Sequence, residues 1–203
     1  MNKYILGTKQ KMVQFFDENG KSVPATFIQT GPVVVTQIKT KEKDGYAAIQ
    51  VGFGSRKEKN INKAQKGHFK DAGNFAYSRE FRFDKAPEVA VGDSIDLSSF
   101  EIGDVVEISG VSKAKGFQGV VKRHGFHGGP RSHGQKHSER EPGSIGATGP
   151  QRVFKGTRMG GRMGGDRVTV KNLIVLGVDT ENSLLLVSGA IPGKKGTLIE
   201  VKG

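Results

Sequence analysis

The 203-residue sequence contains no cysteine, and only 34% of its residues are hydrophobic. Without thiols the chain can form neither disulfides nor thiolate metal sites, which fits a reducing compartment. No apolar run approaches the ~20 residues needed to cross a bilayer, and the first eight residues lack the apolar core of a signal peptide. These absences predict a cytoplasmic protein that does not associate with membranes.

Acidic residues are also few, with 20 aspartates and glutamates against 32 lysines and arginines, for a formal net charge of +12. Such a charge favours a polyanionic partner. The excess is concentrated in residues 113–167, called the arm here. The arm holds twelve basic and three acidic residues, and therefore carries +9 of the +12.

The arm also contains fourteen of the thirty glycines and few large apolar side chains. Such a segment cannot bury enough apolar surface to offset the entropy of ordering it alone. Loops this long are uncommon in compact domains unless they are functional or disordered. We therefore predict that the arm becomes ordered inside folded RNA, and that in the free protein it is disordered beside a folded body.

The rest of the sequence alternates between apolar and polar residues in short stretches separated by glycine-containing turns. Many short strands with such turns favour a mainly β fold, a small closed or nearly closed β-barrel. We predict a single barrel domain over residues 1–203, with a small α+β insertion at about 44–93 and the arm as a long irregular extension loop. Strands are predicted at 4–7, 12–16, twice within 23–40, and at 46–53, 81–83, 105–111, 168–170, 173–178, 184–187 and 198–201; residues 62–66 open a short helix, and 87–99 form a connection.

Four arm histidines have the spacings H-x2-H and H-x3-H, which resemble half of several zinc patterns: His124, His127, His133 and His137. No cysteine accompanies them, and the surrounding cations disfavour a divalent metal. We expect these imidazoles to stack on bases or to donate to phosphates, and expect neither a metal nor a cofactor. A metal-dependent hydrolase is the alternative, which metal analysis of the purified protein would test.

No catalytic constellation stands out. Glu139 and Glu141 lie between arginines, as ion-pair partners do, and the serines of the arm lack an orienting carboxylate. The dinucleotide fingerprint and the Walker lysine pattern are both missing. We predict that the protein is not an enzyme and has no catalytic residue.

The composition of the arm suits RNA binding. Glycines let backbone amides approach a phosphate closely, and arginine can hold phosphate oxygens bidentately. The aromatic residues Phe117, Phe126 and Phe154 either stack on RNA or anchor the arm to its own barrel, and the sequence leaves both open. The predicted RNA-binding residues are Lys113, Lys115, Lys122, Arg123, His124, Phe126, His127, Arg131, His133, Lys136, His137, Arg140, Ser144, Arg152, Phe154, Lys155, Arg158, Arg162 and Arg167.

Several stretches, in order along essentially the whole chain, resemble the bacterial form of the large ribosomal subunit protein L-three family. They include SKAKGFQGVVKRHGF at 112–126, PGSIG at 142–146, RVFKG at 152–156, MGGRMG at 159–164 and RVTVKNL at 167–173. The chain departs from the pattern at Ala114 and Lys11, where glycine is usual. Residues 147–151 also differ from the form in which some bacterial relatives carry a methylated glutamine, so that modification is not transferred to Gln151.

The resemblance implies a barrel at the subunit surface and an arm that enters the large-subunit rRNA, binds early and nucleates assembly. The arm tip would approach the peptidyl-transferase centre and the aminoacyl-tRNA corridor. It comprises Ser144, Ile145, Gly146, Ala147, Thr148, Gly149, Pro150, Gln151 and Arg152. Partners would be rRNA and neighbouring ribosomal proteins in cytoplasmic ribosomes, not a second copy of the chain. Charge alone leaves one other hypothesis, a general nucleic-acid-compacting protein without a defined site.

Overall fold

The structure, a computed structural model, describes residues 3–69, 72–83 and 89–203. The chain divides into two compact units. The first comprises Met1–Val111 and Arg167–Gly203 and is called the barrel unit; the second, Ser112–Asp166, is called the arm unit. The division into one domain with an insertion and an arm stays a prediction.

The described residues form twelve strands and three α-helices, with single 3-10 turns at Glu58–Asn60 and Leu97–Ser99. In chain order they are β1 (Tyr4–Phe16), β2 (Ser22–Thr30), β3 (Val33–Lys39), α1 (Lys41–Asp44), β4 (Ala48–Ser55), α2 (Lys63–Phe69), β5 (Phe75–Arg82), β6 (Ser94–Ile95), β7 (Val105–Val111), β8 (Phe117–Gln118), α3 (Val120–His124), β9 (Gly161–Arg162), β10 (Arg167–Asp179), β11 (Leu184–Ser188) and β12 (Leu198–Lys202).

Six antiparallel strands close into a barrel in the order β1-β12-β7-β10-β11-β2, which confirms the predicted mainly β fold and its closure. Alternate residues of a strand face the same side, so each barrel strand turns its apolar positions inward. Ile108 of β7, Leu185 of β11 and Val201 of β12 are fully buried in this way. The barrel therefore closes around an apolar interior.

Two barrel strands each span a pair of predicted strands. β1 and β10 each run for 13 residues, where the sequence pattern predicted a pair of short strands. In β1 the register shifts between Lys9 and Met12, and in β10 it shifts between Val170 and Leu173. Such an irregularity inserts unpaired residues and breaks the alternation of side chains without ending the strand. The hydrophobic pattern of each strand is therefore interrupted at the register shift, although its backbone hydrogen bonds continue on both sides.

A second sheet in the barrel unit has the strand order β5-β4-β3-β6. β5 begins at Phe75, six residues before the predicted strand, because its partner β4 supplies hydrogen bonds along a stretch with little apolar alternation. The helix predicted from residue 62 is α2. Part of the predicted connection at 87–99 lies outside the described residues, and its described part contains β6 and the 3-10 turn at Leu97–Ser99.

The barrel and the second sheet share one apolar cluster. Tyr4 of β1 packs against Phe81 of β5 with ring centroids 4.8 Å apart, and Ile49 and Val51 of β4 are fully buried in the same cluster. Val111 and Arg167 are paired residues of β7 and β10. The chain therefore leaves the barrel unit and returns to it on adjacent strands. Among the described residues, no helix is both long enough and apolar enough to cross a bilayer.

Candidate nucleic-acid interface

Backbone hydrogen bonds join the two ends of the arm unit. The Lys115 amide donates to the Met163 carbonyl at 2.9 Å, and the Met163 amide donates to the Gly116 carbonyl at 3.0 Å. β8 and β9 continue this ladder. Gly164 has φ 72°, and a Cβ at this position would overlap the carbonyl oxygen of Lys113. Only glycine lets the two ends approach this closely.

Side chains of α3 hold the returning limb of the arm unit. Arg123 Nη1 donates to the Met159 carbonyl at 2.8 Å, and His124 Nε2 donates to the same oxygen at 3.0 Å. The guanidinium carbon of Arg158 lies 5.0 Å from the centre of the Phe126 ring. Such a cation–π contact is favourable and covers part of the ring. These side chains therefore have partners within the arm unit.

Glu139 organises the middle of the arm unit. Its carboxylate pairs with the Arg131 guanidinium at 2.6 Å, as the sequence predicted for this acid, and its carbonyl accepts a hydrogen bond from the Gly129 amide at 3.0 Å. Arg131 is well exposed, so the ion pair contributes little stability by itself. Two bonds to Glu139 nevertheless close a local loop.

Between residues 141 and 156 every side chain is exposed, including the whole predicted tip. The hydrogen bonds here are local: Ser144 Oγ donates to the Gly146 carbonyl at 2.9 Å, and the Gln151 amide donates to the Thr148 carbonyl at 3.3 Å. Gln151 has φ 51°, a left-handed conformation that costs free energy for a residue with a side chain. No apolar burial stabilises this stretch.

Most lysines and arginines of the arm unit are exposed to solvent. Eleven lysines and arginines lie between Ser112 and Asp166, and all but Arg123 are exposed. Within this fully described unit, Arg131 is the one cation in an ion pair with a carboxylate. Arg167 differs, because it lies in the barrel unit and pairs with Glu200, which also accepts from Arg79. Exposed positive charge at this density is typical of surfaces that bind polyanions.

The histidines do not converge. His127, His133 and His137 are exposed, and the last two have positive φ values of 60° and 36°. Across residues 3–69, 72–83 and 89–203, no group of three or more His, Asp or Glu side chains is placed to hold a metal ion. The stacking and phosphate-donating roles of these imidazoles stay predictions.

Comparison with known proteins adds independent evidence. A sequence model of the family described as Ribosomal protein L3 matches residues 55–183. The chain is 48% identical to large ribosomal subunit protein uL3 of Synechococcus sp. over 98% of this chain and 93% of the relative. It is 50% identical to the proteins of the same name from Heliobacterium modesticaldum and Finegoldia magna, over 98% of this chain and 96% and 97% of those relatives.

The chain belongs to the ribosomal protein L3 family. Its arm unit contains four of the five stretches that carried the resemblance in the sequence, and the fifth, RVTVKNL at 167–173, lies in the barrel unit. The structure shows that part of this signature is internal scaffolding, because Gly164, Arg123 and the backbone of Met159 contact other arm residues.

Sequence reasoning missed one member of this L3-family scaffold. Ser112 Oγ accepts hydrogen bonds from the amides of Gly165 and Asp166 at 3.1 and 3.4 Å. A lone serine at the start of a basic segment gives no signal of this role. Only its partners, more than fifty residues away, identify it.

Two carboxylates of the barrel unit in this L3-family chain form ion pairs with lysines. Hydrogen bonding from the Lys39 ammonium, 2.8 Å from the carboxylate, lowers the pKa of Glu80, and Lys3 at 2.6 Å does the same for the pKa of Asp104. Tyr46 joins the first pair by donating to Glu80 at 2.9 Å. These carboxylates of the barrel unit are therefore in ion pairs, whereas most lysines and arginines of the arm unit are not paired with a carboxylate.

Proposed function

We propose that this chain is a structural constituent of the large ribosomal subunit that binds large-subunit rRNA through its arm unit. The observation that carries the proposal is the set of ten exposed cations there, of which only Arg131 is neutralised by a carboxylate. Binding would release counterions from the RNA, which supplies most of the affinity. No catalytic step is assigned to any residue.

Shape would supply specificity. A folded RNA offers phosphates at fixed positions, and sequence-independent recognition of RNA depends largely on such geometry. The ladder at the ends of the arm unit would hold the cations beside it, Lys115 and Arg162, in defined places, so the protein would select an RNA fold rather than any polyanion. Early binding, nucleation of assembly, contacts with neighbouring ribosomal proteins and residence in cytoplasmic ribosomes are the finer parts of this proposal, supported by family membership.

Removal of charge tests the binding. Four exposed arm cations without a side-chain partner in the arm unit are replaced by glutamine: Lys113, Lys136, Arg140 and Lys155. If all four meet phosphates, the slope of log K against log salt falls by about 3 units, at ~0.7–0.9 per contact. The matched control replaces four exposed lysines of the barrel unit: Lys41, Lys43, Lys194 and Lys195.

The control variant is expected to keep the wild-type slope within a fraction of a unit. Equal losses in the two variants would mean that charge acts without a defined site. Competition against random duplex RNA checks the same point, because a general compacting protein would show no preference for rRNA at moderate salt. Such a result would replace the present proposal.

The tip would lie nearest the peptidyl-transferase centre, along the aminoacyl-tRNA corridor. Its support is the family resemblance together with the exposure of residues 144–152. A Cβ at Gly149 would meet no atom within 4 Å, and one at Gly146 would make only an ordinary contact with the Arg152 carbonyl oxygen, 3.5 Å away. Gly149→Arg and Gly146→Arg therefore leave the protein folded and add bulk where RNA would lie.

Ribosomes that carry either variant are expected to show altered tRNA selection or altered response to drugs at the peptidyl-transferase centre. Gly67→Arg is the matched control, since Gly67 lies in α2 of the barrel unit with open space around it. Wild-type selection and drug response in both tip variants would remove the tip from the catalytic region of the RNA.

A further inference from the structure

The three phenylalanines of the arm unit differ in exposure, although the sequence pattern does not distinguish them. Phe126 is half-buried beneath Arg158, and Phe154 is 52% exposed with the Arg152 guanidinium 5.5 Å from its ring centre. Phe117 is 79% exposed. Burial of a phenylalanine is favourable, so an aromatic ring left this open is an unused binding surface.

The backbone around Phe117 holds its ring in a defined place. Phe117 is paired with Arg162 in the ladder of β8 and β9, and the next turn of chain is α3. The Cε1 and Cζ atoms of the ring lie over Gly160, where a Cβ would come within 3.3 and 3.2 Å of them. Glycine at this position therefore makes room for the ring. One edge of the ring rests on the ladder while most of it stays in solvent.

The charge around the ring identifies the class of partner. Lys115, Lys122 and Arg162 lie within a few positions of Phe117 in the ladder or in α3, and all three are exposed. Residues 112–138 contain no aspartate or glutamate. An apolar protein surface gains nothing from such cations. An unpaired nucleotide does, because its base can stack on the ring while the phosphates on either side meet lysine and arginine.

We propose that Phe117 is a stacking platform for an unpaired base of the large-subunit rRNA. This inference rests on the proposed function and adds a binding residue that charge alone does not reveal. Stacking tolerates any base, since every base has a π face. Phe117 therefore anchors an unstacked nucleotide at the ladder, and its three neighbouring cations hold the backbone of that nucleotide.

The chain has no tryptophan, so Phe117→Trp introduces a single indole at the platform, whose emission is distinct from that of the three tyrosines. The full-length variant is titrated with large-subunit rRNA, and a base stacked on the indole quenches its emission strongly. Phe16→Trp is the matched control, because Phe16 is 60% exposed at the end of β1 in the barrel unit. Its emission is expected to change little. RNA binding by Phe117→Trp with no more quenching than the control would overturn the proposal and point to a protein partner for the ring.

Affinity gives a second measurement. Phe117→Leu keeps an apolar side chain over Gly160 but removes the π face, so binding of the rRNA should weaken about 5- to 150-fold. The slope of log K against log salt should stay unchanged, because no phosphate contact is lost. Phe117→Tyr should retain wild-type affinity.

Different results would overturn the stacking platform and the proposed function. If wild-type protein binds rRNA and Phe117→Leu binds equally tightly, the stacking platform is wrong while the proposed function stands. If wild-type protein shows no preference for rRNA over random duplex, the proposed function fails and the platform fails with it.

Discussion

The two units of this molecule are stabilised by different means. In the barrel unit, strands from both sheets bury one apolar cluster, and residues such as Ile108 and Val35 have no exposed surface. In the fully described arm unit, Val120 is the one buried apolar residue. Backbone hydrogen bonds, close contacts at glycine and a few side-chain bonds to carbonyls maintain the rest. The barrel unit can therefore fold by hydrophobic burial, whereas the arm unit buries too little apolar surface for that and keeps ten of its eleven cations exposed.

The largest difference is expected in the response to loss of apolar volume. Ile108→Ala removes a fully buried side chain from the barrel and should lower the free energy of unfolding by about 2–5 kcal/mol. Ile145→Ala removes a side chain that is 41% exposed at the tip and should change it by no more than ~0.5 kcal/mol. Urea unfolding followed by circular dichroism measures both. Similar costs in the two variants would contradict the comparison.

A smaller loss of stability is expected when a side chain is added at Gly164, where the two ends of the arm unit approach closely. Gly164→Ala introduces a Cβ at a residue with φ 72°, and this Cβ would overlap the Lys113 carbonyl oxygen. The ladder should therefore weaken by about 1–3 kcal/mol. Hydrogen exchange at the Lys115 and Met163 amides, which form that ladder, measures the loss. The unfolding midpoint of the barrel unit should not move.

Gly149→Ala is the matched control for this ladder variant, since a Cβ there meets nothing within 4 Å. Its exchange rates should equal those of the wild type. Unchanged protection at Lys115 in the Gly164→Ala variant would show that the ladder does not stabilise the free arm unit. That result would agree with the prediction from the sequence that the whole arm is disordered in the free protein.

The smallest effect is expected from acid, and it concerns the barrel unit. Because the folded-state pKa of Glu80 lies below its unfolded value, the Lys39 pair contributes stability that is present above the unfolded pKa, about 4.3. That contribution is lost as pH falls through the folded pKa. Asp104 behaves in the same direction. Urea midpoints should therefore fall from pH 5 towards pH 3.

Lys39→Gln removes the main cause of the shift at Glu80 and should make that fall in urea midpoint shallower. Lys43→Gln, an exposed lysine in α1, is the control and should reproduce the wild-type curve. A Lys39→Gln curve that superimposes on the wild type would show that the pair does not stabilise the folded state.

Much of the fold could be predicted from the sequence, because burial of alternate side chains leaves a period of two along each strand. β7 was predicted with its observed ends, and the barrel closes as expected. The continuous strands β1 and β10 were predicted as pairs, since register shifts near Lys9 and Val170 break the period. Hydrogen bonds to the neighbouring strands keep β1 and β10 continuous across these irregularities, and the side-chain pattern does not show that continuity.

The sequence by itself determined where the charge lies, which segment cannot form its own core and which family the chain resembles, because these depend on residue identity and order alone. The tertiary structure decided which side chains of the arm unit are exposed and which contact other residues of the unit. Arg123 is bound to a carbonyl 36 positions away while Lys122 beside it is exposed, and Phe117 is open while Phe126 is covered. The reason is physical: the state of a side chain depends on backbone brought near from the distant limb of the arm unit, and spacing along the chain does not encode that proximity.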